Sequence, residues 1–185
     1  MSLEKSLWSE YPIPKSVSVW GGIPEDDNDF SLKDLINTCV RELRSDLFVT
    51  DYMTASANQT QMPEDTVAVL SVQYATMPVQ GNIYVKKNYI KASNTLLLRY
   101  FPAYVTYKRR LRTSDIDFLE GDDFKFFKAY VLYKMASKEI IVIESVTLNS
   151  DNSEVNTTSL QKFRDDCKQL VDELKDGISL YSHGS

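Results

Sequence analysis

The sequence predicts an α+β fold, and three observations carry that prediction. Apolar residues recur at helical spacing over three separate stretches. Between the first and second of these stretches the pattern changes to alternating, β-branched runs. Ahead of them lies a segment in which Pro12, Pro14, Gly21, Gly22 and Pro24 exclude a long helix. The predicted architecture is a three-helix core with a small inserted antiparallel β-sheet and an extended N-terminal arm.

The arm covers 1–30. Trp8, Tyr11, Val17, Val19 and Trp20 make it too apolar for a free tail, so it is expected to lie along the domain or a neighbour. Glu25, Asp26, Asp27 and Asp29 lead out of it. A single domain is then expected over 31–185. Ser31 is a good N-cap for a first helix over 31–48, with Asp34 three residues on. Leu32, Leu35, Ile36, Cys39, Val40, Leu43 and Leu47 form its apolar stripe. Residues 51–61 turn polar and read as a loop.

The sheet is expected over 66–108, beginning with TVAVLSVQYAT. A turn at 78–82, the strands IYVKK and NYIKA, and a fourth strand TLLLRYF follow. The segment AYVTYKRRLRT reads as either an edge strand or an extended crossing. A central helix over 121–146 comes next. Phe124, Phe127, Val131 and Met135 share one side of it, and Phe126, Tyr130 and Tyr133 fall on another. A helix apolar on most of its circumference is buried on most of it. That predicts cover from the domain on one side and from something else on the other. The last helix is expected over 158–178. Its stripe is Leu160, Phe163, Cys167, Leu170, Val171, Leu174 and Ile178, with Gly177 as a stop and a tail over 179–185.

The 185 residues suffice for one domain with a real core, and the formal net charge is −5. That charge argues against a general nucleic-acid binder, which needs a basic excess to displace counterions. No run of eighteen apolar residues is present, so no membrane span is expected. The start, MSLEKSLWSEYPIP, lacks the pattern of a secretory signal. Cys39 and Cys167 fall on apolar stripes and read as small core residues of a reducing compartment. With His183 as the one histidine, a histidine-based metal site or triad is hard to assemble.

Two clusters could carry chemistry. Asp115, Asp117, Glu120, Asp122 and Asp123 could hold a hard divalent cation. Their stronger reading is electrostatic, since carboxylates at a helix N-terminus offset its dipole. Lys108, Arg109, Arg110 and Arg112 form a basic patch that, with Lys86 and Lys87, could touch phosphate. Tyr104 and Tyr107 could stack on bases beside it. Solvation or pairing with an acidic surface of another subunit ranks above nucleic acid. No phosphate-loop, dinucleotide or nucleophile-elbow motif is present, so no catalytic residue and no cofactor or metal ligand is assigned.

The order of signals has a further implication. A capped helix is followed by MPEDTVAVLSV, then GNIYVKKNYIKASNTLLLRYFPAY, then DIDFLEGDDFKFFKAYVLYKMASKE, a last helix and a Tyr-containing tail. Over roughly 31–181 this layout resembles the head-to-tail connector, or neck adaptor, proteins of tailed bacteriophages. The arm is longer and more aromatic than that pattern. The resemblance implies a non-catalytic viral structural protein without cofactor. It implies a homo-oligomeric ring, commonly dodecameric, beneath the portal protein and docking a tail, stopper or terminator protein. DNA would pass through the ring without sequence-specific binding. The site would be the virion neck, after assembly in the host cytoplasm. By the same resemblance, Leu180, Tyr181, Ser182 and His183 would contact the portal. The first and central helices would meet neighbouring subunits, through Phe124, Phe126, Phe127, Tyr130 and Tyr133. A small cytosolic metal-dependent enzyme using the acidic cluster, or another virion part such as a tail terminator or baseplate protein, are the alternative readings.

Overall fold

A computed structural model of the chain describes residues 2–21, 31–55, 60–74, 77–78, 83–86, 89–92, 102–148 and 157–182. The fold is α+β, as the patterning predicts. The chain divides into two compact units, Met1–Asp46 with Arg112–Ser185, and Leu47–Leu111. The first is helical and the second holds the strands.

The helical unit begins with a correction. Leu3–Glu10 is an α-helix, α1, not extended chain. Tyr11 leaves it in extended backbone immediately before Pro12. A residue before proline disfavours the α region, so these prolines end a short helix rather than exclude one. Leu3 and Leu7 are its buried anchors. Val19–Gly21 then forms one 3-10 turn. A Cβ at Gly21 would collide with the carbonyl oxygen of Lys15, so only glycine fits this close approach.

The second helix, α2, is Leu32–Glu42. Ser31 caps it as expected, its Oγ accepting the Asp34 N–H at 3.3 Å. It is shorter than 31–48 because the chain tightens into a 3-10 turn at Leu43–Ser45. A 3-10 segment at Thr113–Phe118 precedes the third helix, α3, Gly121–Leu148. Gly121 has φ 58°, a left-handed conformation that sets the entry into α3. The fourth helix, α4, is Thr158–Ser182 and runs on past Gly177. α3 is the axis of this unit and packs against α4, α2 and α1.

The strand unit contains β1 Phe48–Ala55, β2 Thr60–Gln61, β3 Thr66–Tyr74, β4 Met77–Pro78, β5 Ile83–Lys86, β6 Tyr89–Ala92 and β7 Ala103–Arg110. They form a four-stranded sheet in the order β1-β7-β3-β4 and a three-stranded sheet in the order β2-β6-β5. All the pairings are antiparallel. Two expectations change here. Residues 51–55, read as loop, lie in β1. The undecided segment from Ala103 becomes β7, an interior strand with a partner on each side. The turn residues 79–82 and the strand expected at 95–101 lie outside the described residues.

Alternation along β7 buries Ala103, Val105, Tyr107 and Arg109 and turns Tyr104, Thr106, Lys108 and Arg110 the other way. Ala103, Val105 and Tyr107 join Ala55 and Met62, with Met53, Val69 and Val72 packed against them. β3 breaks its alternation with irregularities at Thr66/Ala68 and Val69/Ser71, and Val67 and Leu70 are left exposed there.

Candidate functional site

The expected subunit-contact residues on α3 separate into two groups. Phe126 is 1 % exposed and Phe127 0 %, so the chain itself covers both. This corrects the expectation that a neighbouring copy must shield them. The physical reason is that α3 packs within its own unit against α4, α2 and α1, so little of its circumference is left for a neighbour. Phe124, Tyr130 and Tyr133 are half-buried and keep part of their surface open.

The N-terminal segment is held by an unanticipated residue, Glu139, which is 2 % exposed on the inner face of α3. The Tyr11 hydroxyl and the Ser18 hydroxyl each donate to its Oε2 at 2.7 Å. The Val19 N–H donates to its Oε1 at 3.2 Å. One turn earlier, the Trp20 indole N–H donates to the Met135 carbonyl at 3.1 Å. Lys138 lies over the Trp20 ring, 5.6 Å from its centroid. Tyr11 also stands edge-on to Trp8 and to Phe163 of α4, each at 5.9 Å between centroids. Burial, with the Glu139 hydrogen bond and charge, raises the Tyr11 phenol far above its ordinary pKa, so it stays a donor. Glu10 and Lys128 close the α1–α3 seam at 2.6 Å. The sequence did contain a hint of this. Glu139 sits in line with Leu132, Met135, Ala136 and Ile140, a stripe where a carboxylate must find donors.

A second polar group joins α2 to α3. The Tyr130 hydroxyl donates to Glu42 Oε2 at 2.7 Å, and Lys134 Nζ reaches the same oxygen at 3.0 Å. Partial burial pushes the Glu42 carboxyl up, but the hydrogen bonds from Tyr130 and Lys134 outweigh it and hold the pKa low. The Tyr130 phenol is raised to about 12, by burial first and then by its bond to Glu42. Tyr130 and Tyr133 are tilted neighbours at 6.4 Å.

The expected basic patch does not hold together. Arg109 points into the strand core, where its Nε donates to Asp51 Oδ2 at 2.6 Å. Lys108 and Arg110 occupy the opposite face of β7. Arg112 belongs to the helical unit, where its N–H donates to Asp115 Oδ2 at 2.7 Å. Strand alternation separates residues that the linear sequence groups.

The acidic group divides as well. Asp115 is buried in that capping interaction. Asp117, Glu120 and Asp122 are exposed, and Asp123 is half-buried with its pKa raised by burial and by Asp122. Among the described residues, no three His, Cys, Asp or Glu side chains converge as metal ligands would. Cys39 and Cys167 are free and buried. Burial, then Glu42, raises the Cys39 thiol to about 12; burial, then Asp166, raises Cys167 to about 11. Neither offers a nucleophilic thiolate near neutral pH. Leu180, Tyr181 and Ser182 continue α4, and His183 lies outside the described residues. Among the described residues, no helix is long and apolar enough to cross a membrane.

No protein-family model matches the chain, and no curated protein matches it.

Proposed function

We propose that this protein is a non-catalytic ring subunit of a tailed-phage neck. It joins the portal protein to a tail, stopper or terminator protein, and its ring extends the DNA channel. The observation that supports this reading is the order of elements: capped α2, an antiparallel strand unit inserted before α3, then long α3 and α4. This is the layout that the resemblance to connector proteins rests on. The net charge of −5 suits a channel wall that must let DNA slide, because opposite charge would hold it. Phe126 and Phe127 serve the subunit's own core in this reading, and the contacts between copies use exposed surface instead.

The test is localisation in particles. Antibody raised against the purified chain, visualised by gold labelling of intact and tail-stripped virions, labels the head–tail junction. Labelling along the tail tube or at the baseplate, or no labelling of any particle, contradicts the proposal.

A further inference from the structure

Among the described residues, the four-stranded sheet buries one face and leaves the other half-buried to exposed. Alternation places Thr50, Tyr52 and Thr54 of β1 beside Tyr104, Thr106 and Lys108 of β7 on that open face. Tyr52 is 73 % exposed and Tyr104 55 %, on adjacent strands. Arg110 extends the β7 row at its end. Ala68, Ser71 and Gln73 of β3 pair with Lys108, Thr106 and Tyr104. Among the described residues, those placed on this face include two tyrosines and two cations but no carboxylate. Aromatic and basic groups without acidic neighbours suit a partner that is apolar at its centre and acidic around it.

The chain itself carries such a partner. Phe118 is 82 % exposed, the most exposed of its large hydrophobic side chains among the described residues. It stands where the 3-10 segment Thr113–Phe118 ends, among the exposed Asp117, Glu120 and Asp122. Lys125, which pairs with Asp122 at 3.0 Å, offsets only one of these charges.

We propose that the open sheet face receives the Phe118 corner of a second copy of this chain. Phe118 seats against Tyr52 and Tyr104, while Asp117 and Glu120 face Lys108 and Arg110. The two surfaces are complementary in charge and differ from each other, so the contact is head-to-tail. Repeated, it generates a closed ring or an open filament. Pairing through two copies of the same sheet face would set Lys108 and Arg110 against their own kind. Nucleic acid is the weaker occupant, because two cations neutralise few phosphates on a chain of net charge −5. The inference deepens the ring reading and rests on it.

Sedimentation velocity over a wide concentration range, combined with zero-length carboxyl–amine cross-linking of mixed unlabelled and ¹⁵N-labelled chain, tests the contact. Mixed-isotope pairs should link Lys108 to Asp117, Glu120 or Asp122. Phe118→Ala and Arg110→Glu should each weaken association about tenfold or more, and Arg110→Glu with Glu120→Arg should recover it. Both single positions are exposed, and circular dichroism verifies that the variants fold. Association that persists unchanged in both variants, with links elsewhere, overturns this contact and leaves the ring reading standing. A chain that stays monomeric at every concentration overturns both. Loss of association with no recovery in the charge-reversed pair, and no Lys108 link, overturns the assigned orientation and with it the proposal.

Discussion

Glu139 and Tyr11, separated by 128 positions in sequence, share a 2.7 Å hydrogen bond inside the helical unit. Ser18 and Val19 donate to the same carboxylate, so one side chain of α3 fixes the segment that follows α1. Replacing Glu139 with Ala leaves the buried Tyr11 and Ser18 hydroxyls and the part-buried Val19 N–H without their acceptor. The expected loss is about 3 kcal/mol or more, since each orphaned buried group costs about 1–3 kcal/mol. Tyr11→Phe removes one bond to the carboxylate and costs about 1.5–3 kcal/mol. Urea unfolding of both variants measures this. Limited trypsin digestion adds a local readout, because Lys15 should be cut faster when the segment is released.

Gly21 makes a different prediction in the same segment. Its Cβ-less backbone lies against the Lys15 carbonyl, so Gly21→Ala must displace one strand of this loop. Gly121→Ala meets no atom and carries only the cost of a left-handed φ, about 1–2 kcal/mol. Thermal unfolding should show Gly21→Ala as the more destabilised variant.

The Glu42–Tyr130–Lys134 group predicts the pH dependence. The Glu42 pKa is depressed in the folded chain, so its contribution is present above the unfolded value and is lost as pH falls through the folded one. Tyr130 runs the other way. Its phenol is raised from 10.0 to about 12, so its contribution is present below pH 10.0 and is lost as pH rises toward about 12. Glu42→Gln should flatten the acid arm of a stability–pH curve, and Tyr130→Phe the alkaline arm.

Arg109 and Arg110 are adjacent and should behave oppositely. Arg109 is buried and bonded to Asp51, whereas Arg110 is exposed. Asp51→Ala leaves a buried guanidinium short of an acceptor and costs about 1–3 kcal/mol. Arg110→Ala should change stability by no more than about 0.5 kcal/mol. Chemical denaturation of the two variants checks the contrast.

Much of this fold is legible in the sequence where the determining signal is local. Ser31 and the stripe Leu35, Cys39, Val40 mark α2 because the cap and the repeat lie within a few residues. Leu160, Cys167 and Val171 mark α4 for the same reason. β1 was hidden because Thr50, Tyr52 and Thr54 face outward and Asp51 is matched by Arg109, 58 positions away. α1 was hidden because Pro12 reads as a breaker of a long helix, whereas a short one can end just before it. The surfaces were harder still. Sequence shows that Phe126 is apolar, but its burial depends on which segment covers it. Phe118 looks like one more apolar residue until the 3-10 turn leaves it outside.

The proposed ring requires copies of this chain to assemble with one another while Phe126 and Phe127 stay buried within each subunit. Native mass spectrometry of the purified chain over rising concentration, with negative-stain imaging of the same samples, is the decisive measurement. The expected result is a single large species of fixed copy number that appears as annuli with a central channel. A mass of one chain at every concentration, or a ladder of open oligomers with no preferred number, would contradict it.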